Sequence, residues 1–175
     1  MPAARDSEQN APLSIAALQP EEDLDRYFVG LALKRAQHEL RLAINGELAS
    51  MQTNISQLNV LFFIRRRPGV SSADLARLAF LTPQTLGQQL IQMEKRGLVK
   101  REPGEGRKIR HTLTKAGETL LDAGMQKVRE VDTRVLSDFD DETVRTLLDA
   151  FQTIERRAAE SRADTKRFAP FSIDS

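Results

Sequence analysis

Four uncharged polar side chains lie close together in the middle of the chain, at Gln84, Thr85, Gln88 and Gln89. A glutamine side chain offers a hydrogen-bond donor and an acceptor together, which matches the major-groove edge of adenine. The alternative is a solvated polar face of a helix. We favour contact with bases, because the neighbouring residues predict a capped helix of the kind that enters the major groove.

Basic residues surround the same region. Residues 54–114 carry 11 Lys/Arg against 4 Asp/Glu, whereas the rest of the chain carries 15 against 21. A basic middle between acidic flanks is typical of nucleic-acid binding, and chance clustering on a solvated surface is the alternative. The candidate phosphate contacts are Arg101, Arg107, Lys108 and Arg110. Arg107 could also enter a narrow minor groove. Two hydroxyl residues, Ser72 and Thr82, are further candidates for DNA contact.

The composition argues against catalysis and against a bound metal. The chain has no cysteine and only two histidines, His38 and His111. A zinc site would therefore need mostly carboxylate ligands, and disulfides are excluded. There is no Ser-His-Asp spacing and no glycine-rich phosphate loop. We expect a protein that is not an enzyme, has no cofactor and no metal, and is cytoplasmic, without a secretory signal or a membrane span.

Local signals place the candidate residues on two short helices joined by a turn. Ser71 with Asp74 forms a capping box before a helix predicted over 72–79. Thr82-Pro83 is an N-cap followed by proline at the first helical position, and Gly97 ends the helix that begins there. The buried stripe of this second helix consists of Leu86, Leu90 and Met93.

A hairpin follows, and longer helices flank the whole region. The hairpin strands are predicted over 98–102 and 109–113, and the tip between them contains two glycines and a proline. Further helices are predicted over 20–49, 56–67, 115–136 and 140–162, with Thr114 and Asp138 opening the last two. The triplet Arg65–Arg67 ends the second of the chain's helices, where it favours the helix dipole and could also reach phosphates.

The first helix is apolar on two faces, which predicts burial on both. One stripe contains Leu24, Phe28, Leu31 and Leu42, and the other Val29, Leu33, Leu40 and Ile44. We therefore expect a partner subunit, with dimerisation residues Leu24, Phe28, Leu147, Phe151 and Ile154. Arg35 and His38 interrupt the first stripe, and a buried cation needs a partner. A salt bridge is one reading, and an anionic effector bound by Arg35, His38, Leu31 and Phe62 is the other.

Two segments carry a resemblance to a known family. Residues 97–101 (Gly-Leu-Val-Lys-Arg) lead through the hairpin to residues 113–117 (Leu-Thr-Lys-Ala-Gly), and this string, together with residues 68–76, resembles the MarR family. The resemblance covers about residues 22–160. It implies a homodimer, a pseudo-palindromic operator and release by a small aromatic or anionic ligand. The chain departs from the family at Gly106, where a basic residue is usual, and at His111, where the family tends to be aliphatic and where we expect a packed side chain.

The expected fold class is mainly α with a small β-hairpin wing (α+β), a winged helix-turn-helix flanked by N- and C-terminal dimerisation helices. The predicted parts are an N-terminal arm (1–19), a dimerisation helix (20–52), a DNA-binding domain (54–114), C-terminal dimerisation helices (115–162) and a tail (163–175). The expected function is a DNA-binding transcriptional regulator, a repressor released by an effector. The alternative is a winged-helix module for protein interaction within a larger assembly, without specific DNA binding.

Overall fold

The computed structural model describes residues 26–103 and 109–167. Helix α1 (Arg26–Leu48) runs into a short 3-10 helix (Ala49–Met51), and α2 (Ile55–Arg66), α3 (Ser72–Leu78) and α4 (Pro83–Lys95) follow. The strands β1 (Val99–Pro103) and β2 (Ile109–Leu113) precede the long helices α5 (Lys115–Val135) and α6 (Asp141–Arg167). The fold is therefore mainly α with one β-hairpin, as the sequence predicts. No helix in the described parts of the chain has the length and apolarity needed to span a membrane.

The helix-turn-helix of α3 and α4 forms through the caps that the sequence predicts. The Ser71 hydroxyl accepts from the backbone N–H of Asp74 (3.2 Å) and donates to its carboxylate (2.7 Å). The Thr82 hydroxyl accepts from the N–H of Thr85 (3.1 Å), with Pro83 in the first turn. Both hydroxyls satisfy amide groups that have no partner inside their helix. The core between these helices and α2 contains the fully buried Leu58, Leu61, Leu75, Leu86 and Met93.

The turn between α3 and α4 contains a residue in an unusual conformation. Phe80 has φ +53°, in the left-handed region that disfavours side chains with a Cβ. Its side chain is 91% exposed, so burial does not offset this strain. The backbone N–H of Phe80 donates to Arg77 O (3.3 Å), and Leu81 N–H donates to Ala76 O (2.9 Å), which closes the turn.

The hairpin pairs β1 with β2 in antiparallel register, with Val99 opposite Leu113 and Arg101 opposite His111. An isolated bridge between Ser71 and Arg110 attaches β2 to the start of α3. The tip, residues 104–108, lies outside the described residues, and so do the predicted DNA contacts Arg107 and Lys108.

The first turn of α5 packs closely against the residues that follow α4. The backbone N–H of Thr114 donates to Leu98 O (3.1 Å), and the Thr114 hydroxyl donates to Gly97 O (2.6 Å). The hydroxyl oxygen of Thr114 also accepts from the N–H of Gly117 (3.1 Å), which caps α5. A Cβ at Gly117 would lie only 2.1 Å from Leu98 O. About two turns further on, a Cβ at Gly124 would lie 2.7 Å from the Leu58 side chain. Glycine at both positions therefore permits the approach of α5.

Side-chain hydrogen bonds tie the end of α1 to both α2 and α4. The Asn45 side chain accepts from the N–H of Ile55 (2.9 Å) at the start of α2. At the far end of α4, the Arg96 guanidinium donates to Gln52 O (2.7 Å) and Met51 O (3.4 Å). The segment after α1 therefore holds the C-terminal end of α4.

The chain divides into two compact units, and the division falls within α5 between Val128 and Arg129. In the second unit, α6 is capped by Asp140, whose carboxylate accepts from Thr143 N–H (2.8 Å). The prediction that Asp138 opens this helix is therefore wrong, because the cap lies two residues later. Helix α6 also runs beyond the predicted end, to Arg167. Its apolar residues Leu148, Phe151 and Ile154 are exposed by 39–53%.

Candidate nucleic-acid interface

Helix α4 separates an apolar face from a polar one. Leu86, Leu90 and Met93 are buried, as the sequence predicts. Gln84, Thr85 and Gln88 are exposed on the first two turns, at the end of the helix that Thr82 caps. These side chains have the amide and hydroxyl groups needed to hydrogen-bond base edges, and a recognition helix presents its N-terminal half to the major groove.

Gln89 does not belong to this exposed face. Its side chain is half-buried, and its amide nitrogen donates to the Ser56 hydroxyl (2.9 Å) on α2. The amide oxygen of Gln89 is buried without a hydrogen-bond partner in the described structure. The expectation that Gln89 reaches bases is therefore wrong for this conformation, since the side chain is directed at α2.

Two of the predicted phosphate contacts are exposed on the described part of the hairpin. Arg101 lies on β1 and Arg110 on β2. The aliphatic part of Arg110 lies over Gly69, where an added Cβ would be 3.5 Å from Arg110 Cδ. Arg110 and Arg67 line the same open cleft, together with Ser71 and Asp74 at the start of α3. This cleft places two guanidinium groups beside α3.

The arginine triplet at the end of α2 divides into separate roles. Arg65 forms ion pairs with Asp122 and Glu118 on α5, and the hydrogen bond with Asp122 raises the pKa of the Arg65 guanidinium. Arg66 lies over the Phe62 ring at 6.0 Å. Of the three arginines, only Arg67 lines the cleft beside α3. It is therefore the member of the triplet whose position fits the predicted alternative of a phosphate contact.

His111 is packed into the interior, as the sequence predicts, and is 2% exposed. Its Nε2 lies 3.0 Å from the Ser72 hydroxyl oxygen, and its carbonyl accepts from Gly69 N–H (3.2 Å). Burial lowers the pKa of the imidazole, and the charges of Glu94 and Arg101 act on it in opposite directions. The candidate contact Ser72 is exposed and is therefore connected directly to a buried histidine.

The candidate effector residues lie on α1 and α2. Leu31, Arg35 and Phe62 are half-buried in the single chain. His38 is exposed, and its Nδ1 accepts a hydrogen bond from Arg41 (3.3 Å). Its burial therefore remains a prediction that depends on the proposed partner subunit. Among residues 28–103 and 109–163, whose side chains are described, Arg35 has no hydrogen bond or ion pair.

The comparisons with known proteins agree with this architecture. A family model described as "MarR family" matches residues 51–108. The HTH-type transcriptional repressor Rv2887 of Mycobacterium tuberculosis is 33% identical over 111 residues, which cover 62% of this chain and 80% of that protein. The chain belongs to the MarR family. It is therefore a winged-helix protein of a family of DNA-binding transcriptional regulators.

Solved structures of MarR proteins share the fold. A transcriptional regulator of the family from Rhodococcus sp. RHA1 superposes with a TM-score of 0.70 at 24% identity, covering 77% of this chain and 96% of that one. The Rv2887 complex with DNA gives a TM-score of 0.61 at 28% identity, covering 71% and 95%. The Rv2887 complex with p-aminosalicylic acid gives 0.62 at 29% identity, covering 72% and 97%.

Proposed function

We propose that this MarR protein is a repressor that binds a pseudo-palindromic operator as a homodimer and leaves it when a small aromatic or anionic effector binds. The observation that carries the proposal is the exposed polar face of α4, with Gln84, Thr85 and Gln88 beside the capped end of the helix. The relative Rv2887 is named a repressor, and it has been crystallised with DNA. Both facts support DNA binding by this chain, and the exposed polar face makes α4 the proposed base-contacting helix.

The proposal of a homodimer rests on apolar surface that the single chain leaves uncovered. On α1, Val29, Leu33 and Leu42 are 36–49% exposed, and α6 carries an exposed apolar row that includes Phe151 and Ile154. Water-exposed apolar rows of this kind on two helices are typical of a surface that a second chain covers. Phe28 and Leu147 are half-buried and belong to the same proposed interface, whereas Leu24 lies outside the described residues.

A dimer gives the DNA interface its geometry. Two copies of α4, related by a twofold axis, enter successive major grooves about 34 Å apart. The exposed arginines Arg101 and Arg110 then contact the flanking backbone, together with Arg67 in the cleft beside α3. Because each arginine that neutralises a phosphate releases a counterion, binding weakens steeply with salt.

Operator binding is tested by fluorescence anisotropy with labelled DNA from upstream of the protein's own gene, at several salt concentrations. We expect Gln88→Ala to weaken specific binding about 5–100-fold while leaving the salt slope unchanged. Arg101→Ala should reduce the salt slope by about 1–2 in a dimer with one contact per subunit. The matched control is Arg145→Ala, an exposed arginine on α6 that should alter neither quantity. No specific shift, together with a flat response to salt, would favour a protein-contact module instead.

The effector part of the proposal places an acid near Arg35. Rv2887 has been crystallised with p-aminosalicylic acid and with salicylic acid, which are small aromatic anions. Here Arg35 is half-buried beside apolar residues such as Leu31, so a carboxylate with an aromatic ring suits both groups. Binding that changes the separation of the two α4 helices would couple to DNA release, with a coupling of about 1–3 kcal/mol.

Titration of the operator complex with salicylate and with p-aminosalicylate tests this site. We expect Arg35→Ala to raise the concentration that releases half of the DNA by at least about 10-fold, because a charge-assisted hydrogen bond is lost. Lys34→Ala, at an exposed neighbouring position on α1, is the control. Release that is unchanged in Arg35→Ala would rule out this position for the effector.

A further inference from the structure

His111 connects the interior of the winged helix to its exposed DNA-facing edge. The ring is 2% exposed and lies on β2, opposite Arg101 of β1. Its Nε2 reaches the hydroxyl of Ser72, the first residue of α3, at 3.0 Å. Its Nδ1 is buried and has no hydrogen-bond partner in the described structure. The Nε2 of the ring therefore has a hydrogen-bond partner, and the Nδ1 has none in the described structure.

This asymmetry decides which nitrogen carries the proton of the neutral ring. If Nδ1 carried it, a buried N–H donor would have no acceptor, and such orphaned donors are rarer in proteins than acceptors that lack a donor. If Nε2 carries it, the N–H donates to Ser72 Oγ and only a lone pair on Nδ1 lacks a partner. The second tautomer is favoured, so the Ser72 oxygen accepts from inside the protein.

We propose that His111 is a positioning residue for DNA binding: its Nε2–H donates to Ser72 Oγ, so that the hydroxyl proton of Ser72 points outward and donates to a backbone phosphate oxygen. A phosphate oxygen is an acceptor only, so it requires this orientation. In the opposite tautomer the hydroxyl would donate inward and present only lone pairs to the phosphate. This inference rests on the proposed operator binding.

The surroundings of Ser72 suit a phosphate. Its neighbour Ser71 is bridged to Arg110 of β2, so Ser72 lies next to one of the exposed arginines. The cleft that Arg67 and Arg110 line begins at Ser71. Serine hydroxyls and arginines together commonly fix the register of a protein on the DNA backbone. The arginines supply charge, and Ser72 supplies a neutral donor of defined direction.

The arrangement should respond to acid. A protonated imidazole carries a second N–H at Nδ1, which has no acceptor within the described structure. The charged groups that act on the ring are Glu94 of α4, which favours the protonated form, and Arg101 of β1, which disfavours it. Burial lowers the pKa, so the ring stays neutral until the pH falls below the usual histidine range. Protonation should then displace the ring and release Ser72.

Operator affinity of four variants tests the inference: Ser72→Ala, His111→Leu, the double variant and His111→Gln. We expect Ser72→Ala and His111→Leu each to weaken binding about 10-fold, as for the loss of a hydrogen bond to a charged acceptor. The double variant should be no weaker than either single variant, because both remove the same contact. His111→Gln keeps an N–H near the position of Nε2, so it should restore most of the affinity. All four should keep the wild-type salt slope, unlike Arg101→Ala.

The pH profile separates positioning from packing. Between about pH 6.5 and pH 4.5, a window that extends below the usual histidine range, the affinity of the wild type should fall more than that of His111→Gln, whose amide does not titrate. Replacing single phosphates by methylphosphonates should identify one linkage at which wild type loses affinity and Ser72→Ala does not.

Three results would overturn the inference, and they are distinct from failure of the proposed function. Ser72→Ala with wild-type affinity would exclude the phosphate contact. A weakened Ser72→Ala beside an unaffected His111→Leu would show that Ser72 needs no positioning. Equal pH profiles for wild type and His111→Gln would exclude the imidazole, and this comparison holds even if His111→Leu fails to fold. Absence of operator binding by the wild type would instead refute the proposed function.

Discussion

Gly117→Ala should destabilise the first unit strongly, although alanine is the better helix former. The added Cβ would lie 2.1 Å from Leu98 O, where real Cβ contacts are longer than 3.0 Å, so the two groups must separate by about 1 Å. Leu98 O is fixed, because it accepts from the Thr114 N–H (3.1 Å) and hydroxyl (3.3 Å). Overpacking costs about 1–3 kcal/mol, and each weakened hydrogen bond about 0.5–1.5 kcal/mol. After alanine's helix preference of about 1 kcal/mol is subtracted, the net loss is about 1–5 kcal/mol, with a middle value of about 3 kcal/mol.

Two other helical glycines calibrate this prediction. A Cβ at Gly124 would meet the ends of the Leu58 side chain at 2.7 Å, and a side chain can rotate away, so Gly124→Ala should cost less, about 1 kcal/mol. A Cβ at Gly87 on α4 would have no atom within 4 Å, so Gly87→Ala should stabilise by about 0.5–1 kcal/mol. Urea unfolding followed by circular dichroism, at one protein concentration, measures all three. A Gly117→Ala variant as stable as Gly87→Ala would refute the close approach of α5 to Leu98.

Three further predictions concern other sites. Phe80→Gly should raise the free energy of unfolding by about 0.5–1 kcal/mol, because glycine adopts the positive φ of this turn without strain, and a loss of stability would contradict this. Asp140→Ala should lower the free energy of unfolding by about 0.5–2 kcal/mol through loss of the α6 cap, whereas Asp138→Ala should have little effect. The lowered pKa of His111 contributes stability that is fully present above the unfolded pKa of about 6.5 and is lost as the pH falls below it. Below pH 6.5 the free energy of unfolding of the wild type should therefore fall by up to about 1.4 kcal/mol per pH unit more than that of His111→Leu. Parallel plots of unfolding free energy against pH for the two proteins would contradict this.

The parts of the fold that local chemistry determines could be predicted from the sequence. The caps at Ser71, Thr82 and Thr114 form as expected, because each hydroxyl bonds an amide only three residues away. Leu86, Leu90 and Met93 are buried together because their helical spacing places all three on one face of α4. Such signals depend on neighbours in the chain and need no knowledge of tertiary packing.

The incorrect predictions from the sequence are those whose outcome depends on a long-range contact or on a choice between two similar residues. Gln89 shares the polar composition of Gln88, but Ser56 on α2, 33 positions earlier, turns it inward. Asp138 and Asp140 are equally good caps by type, and the path of the turn before α6 selects Asp140.

The hydrogen bonds between Arg96 and the segment after α1 hold the C-terminal end of α4 in place, so that a tilt of the helix about this end moves its other end the most. Its N-terminal end at Gln84, which we propose contacts bases, lies twelve residues away, about 18 Å along the helix axis at about 1.5 Å per residue. A tilt of about 10° at the Arg96 end moves Gln84 by about 3 Å, about the length of a whole hydrogen bond. Small movements of α1 therefore become larger displacements of Gln84, because the oxygens that Arg96 binds belong to the segment that ends α1.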